Sequence, residues 1–162
     1  MTQPKYELVP FNFTIQTPNK EIGQALIISL PYNVTKGDLL SFRVYYKTNE
    51  NATAFSWLTK DQTLGKKLPY LFTQCQAIAC RSLAPMQDSP AVKATYDASV
   101  VAPKEFTVKM SANDTTSFAF NSTHVRHNFE NRIAIPSYLI ALAVGDLQKV
   151  PLGKRVNLIS EP

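Results

Sequence analysis

A chain of 162 residues, 44% hydrophobic and 18% charged, has an ordinary globular composition and the length of one domain, which excludes a disordered polymer. Its formal charge of +5 is scattered, with Lys66–Lys67 as the densest pair, so no nucleic-acid-binding face is expected. The longest apolar stretch, Tyr138 to Val144, is far below the ~20 residues of a spanning helix, so no membrane partner is expected either.

The opening "MTQPKYELVP" has no apolar core of signal-peptide length, which suggests a cytoplasmic protein. Alternation of apolar and polar residues, the mark of half-buried strands, then recurs along the chain. "FNFTI" puts Phe11, Phe13 and Ile15 on one face, and "LSFRVYYK" does the same for Leu40, Phe42, Val44 and Tyr46. Residues 47–54 read as a loop. "LPYLF" is strand-like and runs into the polar "TQCQ", where a rigid strand end would display binding groups. "VKATYDASV" predicts a strand with Val92, Ala94, Tyr96, Ala98 and Val100 on one side. Phe106, Val108 and Met110 follow a turn at Pro103–Lys104, and Asn113–Asp114 reads as a hairpin turn before "TSFAF". Residues 121–128 read as a loop, and "IPSYLIALAVG" as a central, fully apolar strand. With no helix-period segment and no linker, the expectation is an all-β fold, a twisted sheet or sandwich, in one domain over 1–162.

The catalytic inventory is thin. His124 and His127, in "THVRHN", have neither the spacing nor the glutamate of a helical zinc site and read as part of a solvated hairpin loop. Cys75 and Cys80 do not form a C-x-x-C motif; they read as small buried packing residues with reduced thiols. No glycine loop for phosphate is present. Asn12, Asn33, Asn51, Asn113 and Asn121 each open an N-x-S/T triplet, where chance supplies about one or two. These read as polar turn residues, the alternative being a secreted, glycosylated β-sandwich.

The segment "PYLFTQCQAIACRSLAPMQDSPAVKATYDASVVAPKEF" resembles the N-terminal β-domain of the aminopeptidase N-like zinc metallopeptidases. The "QCQA" form points to the branch that holds leukotriene A(4) hydrolases and aminopeptidase B. "FSWLTKDQTLGKKLPY" and "IAIPSYLIALAVGDL" are similar to the branch's approach to this loop and to its later apolar strand. The resemblance implies a saddle-like, mixed β-domain packed against a zinc-bearing catalytic domain. It implies that Gln74, Cys75 and Gln76 line a shared peptide-binding cleft, with Gln76 near the substrate's amino end. Arg81 and Asp88 would support the loop through an ion pair or side-chain-to-backbone bonds, with Pro85 and Pro90 stiffening the turn. Ala79 departs from the family, whose members carry a polar residue there. The family's G-x-M-E-N loop and H-E-x-x-H zinc motif have no counterpart before Pro162, and strands ahead of Tyr6 are also expected to be missing. No cofactor is therefore expected in this chain, zinc belonging to the catalytic domain, and no catalysis is expected from it alone. The alternative is a stand-alone, non-catalytic β-domain used for protein interaction.

Overall fold

The computed structural model describes residues 9–19 and 22–162, which fall into two compact units, Met1–Tyr45 and Tyr46–Pro162. In the first unit, β1 (Phe13–Ile15) pairs antiparallel with β2 (Leu26–Ile28), Thr14 opposite Ile27. Gly23 sits at φ 82° in the connection, a left-handed conformation that costs glycine little. Phe11 and Phe42 meet edge to face at 6.0 Å.

The expected strand over 40–47 does not form among the described residues. All eight of its residues are exposed and no ladder hydrogen bonds to a described partner accompany them; without such bonds an alternating segment is only a potential strand.

The second unit contains β3 (Phe55–Leu58), β4 (Tyr70–Thr73), β5 (Lys93–Pro103), β6 (Thr107–Met110), β7 (Asn113–Ala119), β8 (His124–Pro136), β9 (Leu142–Gly145), β10 (Gln148–Pro151) and β11 (Asn157–Ser160). One sheet runs β3-β4-β9-β6, another β5-β8-β7, and β10-β11 forms a hairpin. Every pairing among the described residues is antiparallel, and no α-helix occurs among them. The all-β expectation holds.

The larger sheets bury one core between them. Ala102, Val108 and Phe129 are its buried centre, with Ala98, Val100, Met110, Leu142 and Val144 packed around them. Burying a side chain the size of Phe129 contributes about 3 kcal/mol. The β5 alternation faces this core as expected from Tyr96 onward. Ala94 and Val92 lie beyond a register shift between Ala94 and Tyr96 and are exposed, as a bulge dictates.

Three local expectations need correction. Asn113 and Asp114 lie inside β7, opposite Glu130 and Phe129; the chain bends one step earlier, at Ser111 and Ala112. Cross-strand pairing there overrides the turn preference of Asn-Asp. His124 and His127 belong to β8, not to a loop, and the turn is confined to residues around Asn121, whose Oδ1 accepts from Thr123 N and His124 N. Finally, "IPSYLIALAVG" is interrupted after Pro136 by a 3₁₀ turn over Ser137–Leu139. Only Leu142–Gly145 forms the central strand, between β4 and β6.

Candidate functional site

Strand β4 delivers the chain to the polar segment singled out in the sequence. At its end, Thr73 Oγ1 accepts from Leu142 N at 2.8 Å, and Gln74 N–H donates to Ala54 O at 2.8 Å. These bonds fix where the backbone leaves the sheet. Gln74 and Gln76 are exposed, whereas Cys75 between them is 1% exposed. Period-two alternation thus persists for three residues past the strand and sends two amides outward and one sulfur inward.

The chain then turns, with Ala79 N–H on Cys75 O at 2.8 Å, into a 3₁₀ turn over Cys80–Ser82. Cys75 and Cys80 form a disulfide, their Cα atoms 4.7 Å apart. The expectation of reduced thiols is therefore overturned: the turn over residues 76–79 brings the two Cβ atoms within bonding reach, which spacing alone does not reveal. The expected burial of both cysteines does hold. With Ala54 they centre a second core cluster, packed by Ala79, Leu83, Met86, Tyr138 and Ile140. Ala79 is part of that apolar packing. The Cys75 side chain, buried and bonded, has no surface to offer a ligand; only its backbone lies in the loop.

The exit of the loop is held by a polar node. The Asp88 side chain is 1% exposed and Arg81 33%. Asp88 Oδ2 accepts from Arg81 N at 2.9 Å and from Arg81 Nε at 3.2 Å, while Arg81 Nη2 donates to Asp88 O at 2.7 Å. Ser137 Oγ donates to Asp88 Oδ1. Burial pushes the Asp88 carboxyl up, but the Ser137 hydroxyl, the Arg81 backbone and side-chain bonds and the guanidinium charge together hold it below its ordinary 3.8. Ser82 adds a further tie: its Oγ donates to Ala79 O at 2.8 Å and accepts from Ala54 N at 2.9 Å.

The structure thus joins Arg81 to Asp88 and places Gln74 and Gln76 on one exposed loop. Sequence reasoning missed Ser137, Ser82 and the disulfide. The signal for Ser137 was a serine hydroxyl following a proline within a largely apolar run, which burial forces to find a partner.

The histidines take no part in this loop. His127 Nδ1 lies 3.1 Å from Ser117 Oγ and its buried Nε2 has no hydrogen-bond partner among the described residues; burial and the Lys109 charge hold the ring below its ordinary 6.5, against a smaller opposing pull from Asp114. Among the described residues, no group of three His, Cys, Asp or Glu side chains could hold a metal ion. The only acid in the loop already serves Arg81 and Ser137, and its two sulfurs are bonded to each other, so these residues do not fit zinc. Among the described residues no helix is long and apolar enough to cross a membrane.

Comparison with known proteins agrees with this architecture. The Peptidase M1 N-terminal domain model matches residues 1–139. Leucine aminopeptidase 2 of Yarrowia lipolytica is 41% identical over 93% of this chain and 22% of its own length. Leukotriene A-4 hydrolase of Xenopus laevis is 40% identical over 92% of this chain and 25% of its own. The native leukotriene A4 hydrolase of Saccharomyces cerevisiae superposes with a TM-score of 0.73 at 29% identity, covering 95% of this chain and 23% of that one. The chain spans about a quarter of the length of these relatives. With a family model covering most of its residues and a fold similar to that of the yeast hydrolase, the chain belongs to the Peptidase M1 N-terminal domain family.

Proposed function

We propose that this chain forms one wall of a peptide-binding cleft completed by a zinc peptidase domain, and that Gln74 and Gln76 supply its substrate contacts. The chain contributes binding and performs no hydrolysis by itself. The observation that carries this reading is the arrangement of the loop: two outward amides on a turn bonded to Ala54 at its entry and to Ser137, through Asp88, at its exit. A Gln carbonyl oxygen accepts from a peptide's α-ammonium, and its NH₂ donates to a peptide carbonyl. Being neutral, it avoids the desolvation cost of another buried charge in a closed cleft. Cys75 takes part through its backbone and by holding the turn, not through its sulfur.

The reading is tested in an active chimera in which this chain replaces the matching part of the Yarrowia leucine aminopeptidase 2. A hydrogen bond to a charged group is worth about 1.5–3 kcal/mol, so Gln76→Ala should raise KM for a leucyl fluorogenic amide at least about tenfold. Gln74→Ala should give a smaller rise. If both substitutions leave KM and kcat/KM unchanged, the loop is not part of the substrate site.

A further inference from the structure

Ser137 opens the 3₁₀ turn between β8 and β9 and is 6% exposed. It touches the exit side of the glutamine loop at two points from far away in sequence. Its Oγ donates to Asp88 Oδ1 across 49 positions. Its carbonyl oxygen lies 3.0 Å from Cys80 Sγ across 57 positions; that sulfur carries no proton while bonded to Cys75, so this is a packing contact rather than a hydrogen bond. The same carbonyl accepts Ile140 N–H at 2.9 Å, which closes the turn. The neighbours Tyr138 and Ile140 pack on the Ala54–Cys75–Cys80 cluster. The disulfide and the Ser82 bond to Ala79 tie the loop to itself. Ser137 instead ties it to the β8–β9 junction, and β9 is the central strand onto which β4 pairs.

We propose that Ser137 is a positioning residue: through Asp88 and Cys80 it fixes where Gln74 and Gln76 stand above the sheet. The inference rests on the reading of these glutamines as peptide contacts. Binding groups must be held to roughly 0.5 Å by their supporting shell, and small misplacements weaken a site disproportionately. A hydroxyl with a fixed, buried partner supplies that restraint.

Two measurements test it. The first is amide hydrogen exchange on the 162-residue chain. Ser137→Ala should speed exchange at Ala79, Arg81 and Leu83 about tenfold, with the β5–β8 amides unchanged, and Ser137→Thr should restore protection. The second uses the active chimera: Ser137→Ala should raise KM several-fold with kcat within about twofold, and the Thr variant should return KM to its starting value. Uniform acceleration of all amides would mean a general fold contribution and would overturn the proposal, as would unchanged loop exchange. If Gln76→Ala raises KM and Ser137→Ala does not, Ser137 has no positioning role while the cleft reading stands. If neither moves KM, the cleft reading itself fails. Should the alanine variant not fold, Ser137→Cys, which weakens the donor at nearly constant shape, is measured instead, with a smaller change in the same direction expected and no change overturning the proposal.

Discussion

Replacing Asp88 by alanine should destabilise the chain by about 3 kcal/mol. The carboxylate accepts bonds from Arg81 N, Arg81 Nε and Ser137 Oγ. Losing the first and the last leaves a backbone N–H and a hydroxyl without their acceptor, at roughly 1–1.5 kcal/mol each. The guanidinium share is smaller, below about 1 kcal/mol, because Arg81 keeps a third of its side chain in solvent. At this chain length each kcal/mol shifts Tm by about 2–4 °C, so a fall of about 6–12 °C is expected by calorimetry. Asp88→Asn retains one acceptor for Arg81 N–H and offers a donor to Ser137 Oγ, so it should lose less, about 1–2 kcal/mol. Because the folded carboxyl titrates below 3.8, its contribution is complete above that pH. The part that depends on its charge is lost as the pH falls from 3.8 through the folded pKa, so the wild-type-to-alanine gap should narrow in acid. A loss below about 1 kcal/mol at neutral pH, within reach of ordinary surface substitutions, would refute the reasoning.

The remaining predictions address other parts of the second unit. The His127 ring titrates below its ordinary 6.5 in the fold, so the unfolded chain takes up a proton first as the pH falls. Stability should fall as pH drops below about 6.5 and until the folded pKa is passed; urea titrations at pH 7.5 and 5.5 should show the loss, and His127→Gln should flatten it. Reducing the Cys75–Cys80 bond, which closes a loop of sequence separation 5, should cost about 2 kcal/mol by the chain-entropy relation; an unchanged urea midpoint in phosphine reductant would count against the bond. Gly145→Ala would place a Cβ 2.8 Å from Tyr70 Cδ2, so a loss of about 1–3 kcal/mol is expected, and Tyr70→Ala in the same chain should remove the penalty. If the two substitutions prove additive in denaturation, the ring does not lie where it is described.

How far the fold could be read from the sequence depended on whether a partner was needed to decide it. The β5 alternation from Tyr96 to Val100 and the apolar "LPYLF" were legible because burial of one face is written into the residues themselves. The same alternation over 40–47 carried no such guarantee, since pairing depends on a neighbour the segment does not encode. Asn113–Asp114 has turn chemistry, yet the ladder with β8 absorbed both residues. At the loop, the outward pointing of Gln74 and Gln76 follows from continuing the β4 period, and the support from Arg81 and Asp88, as an ion pair or side-chain-to-backbone bonds, was expected at positions the family resemblance matched. The disulfide was not, because counting cysteines says nothing about how a turn orients their Cβ atoms. Nor was Ser137, whose bond to Asp88 spans 49 positions and exists only once β8 and β9 are in place.

Two anchors of the glutamine loop, Ala54 and Ser137, come from stretches of chain far from it, while Ser82 and Asp88 belong to the loop itself. A synthetic peptide spanning residues 68–90 could close its own sulfur bridge, but it would lack the Ala54 and Ser137 clamps. Grafting this loop onto another scaffold would therefore require importing a strand end and a 3₁₀ corner with it, which makes the placement of the two glutamines a property of the whole sheet junction and not of a portable motif.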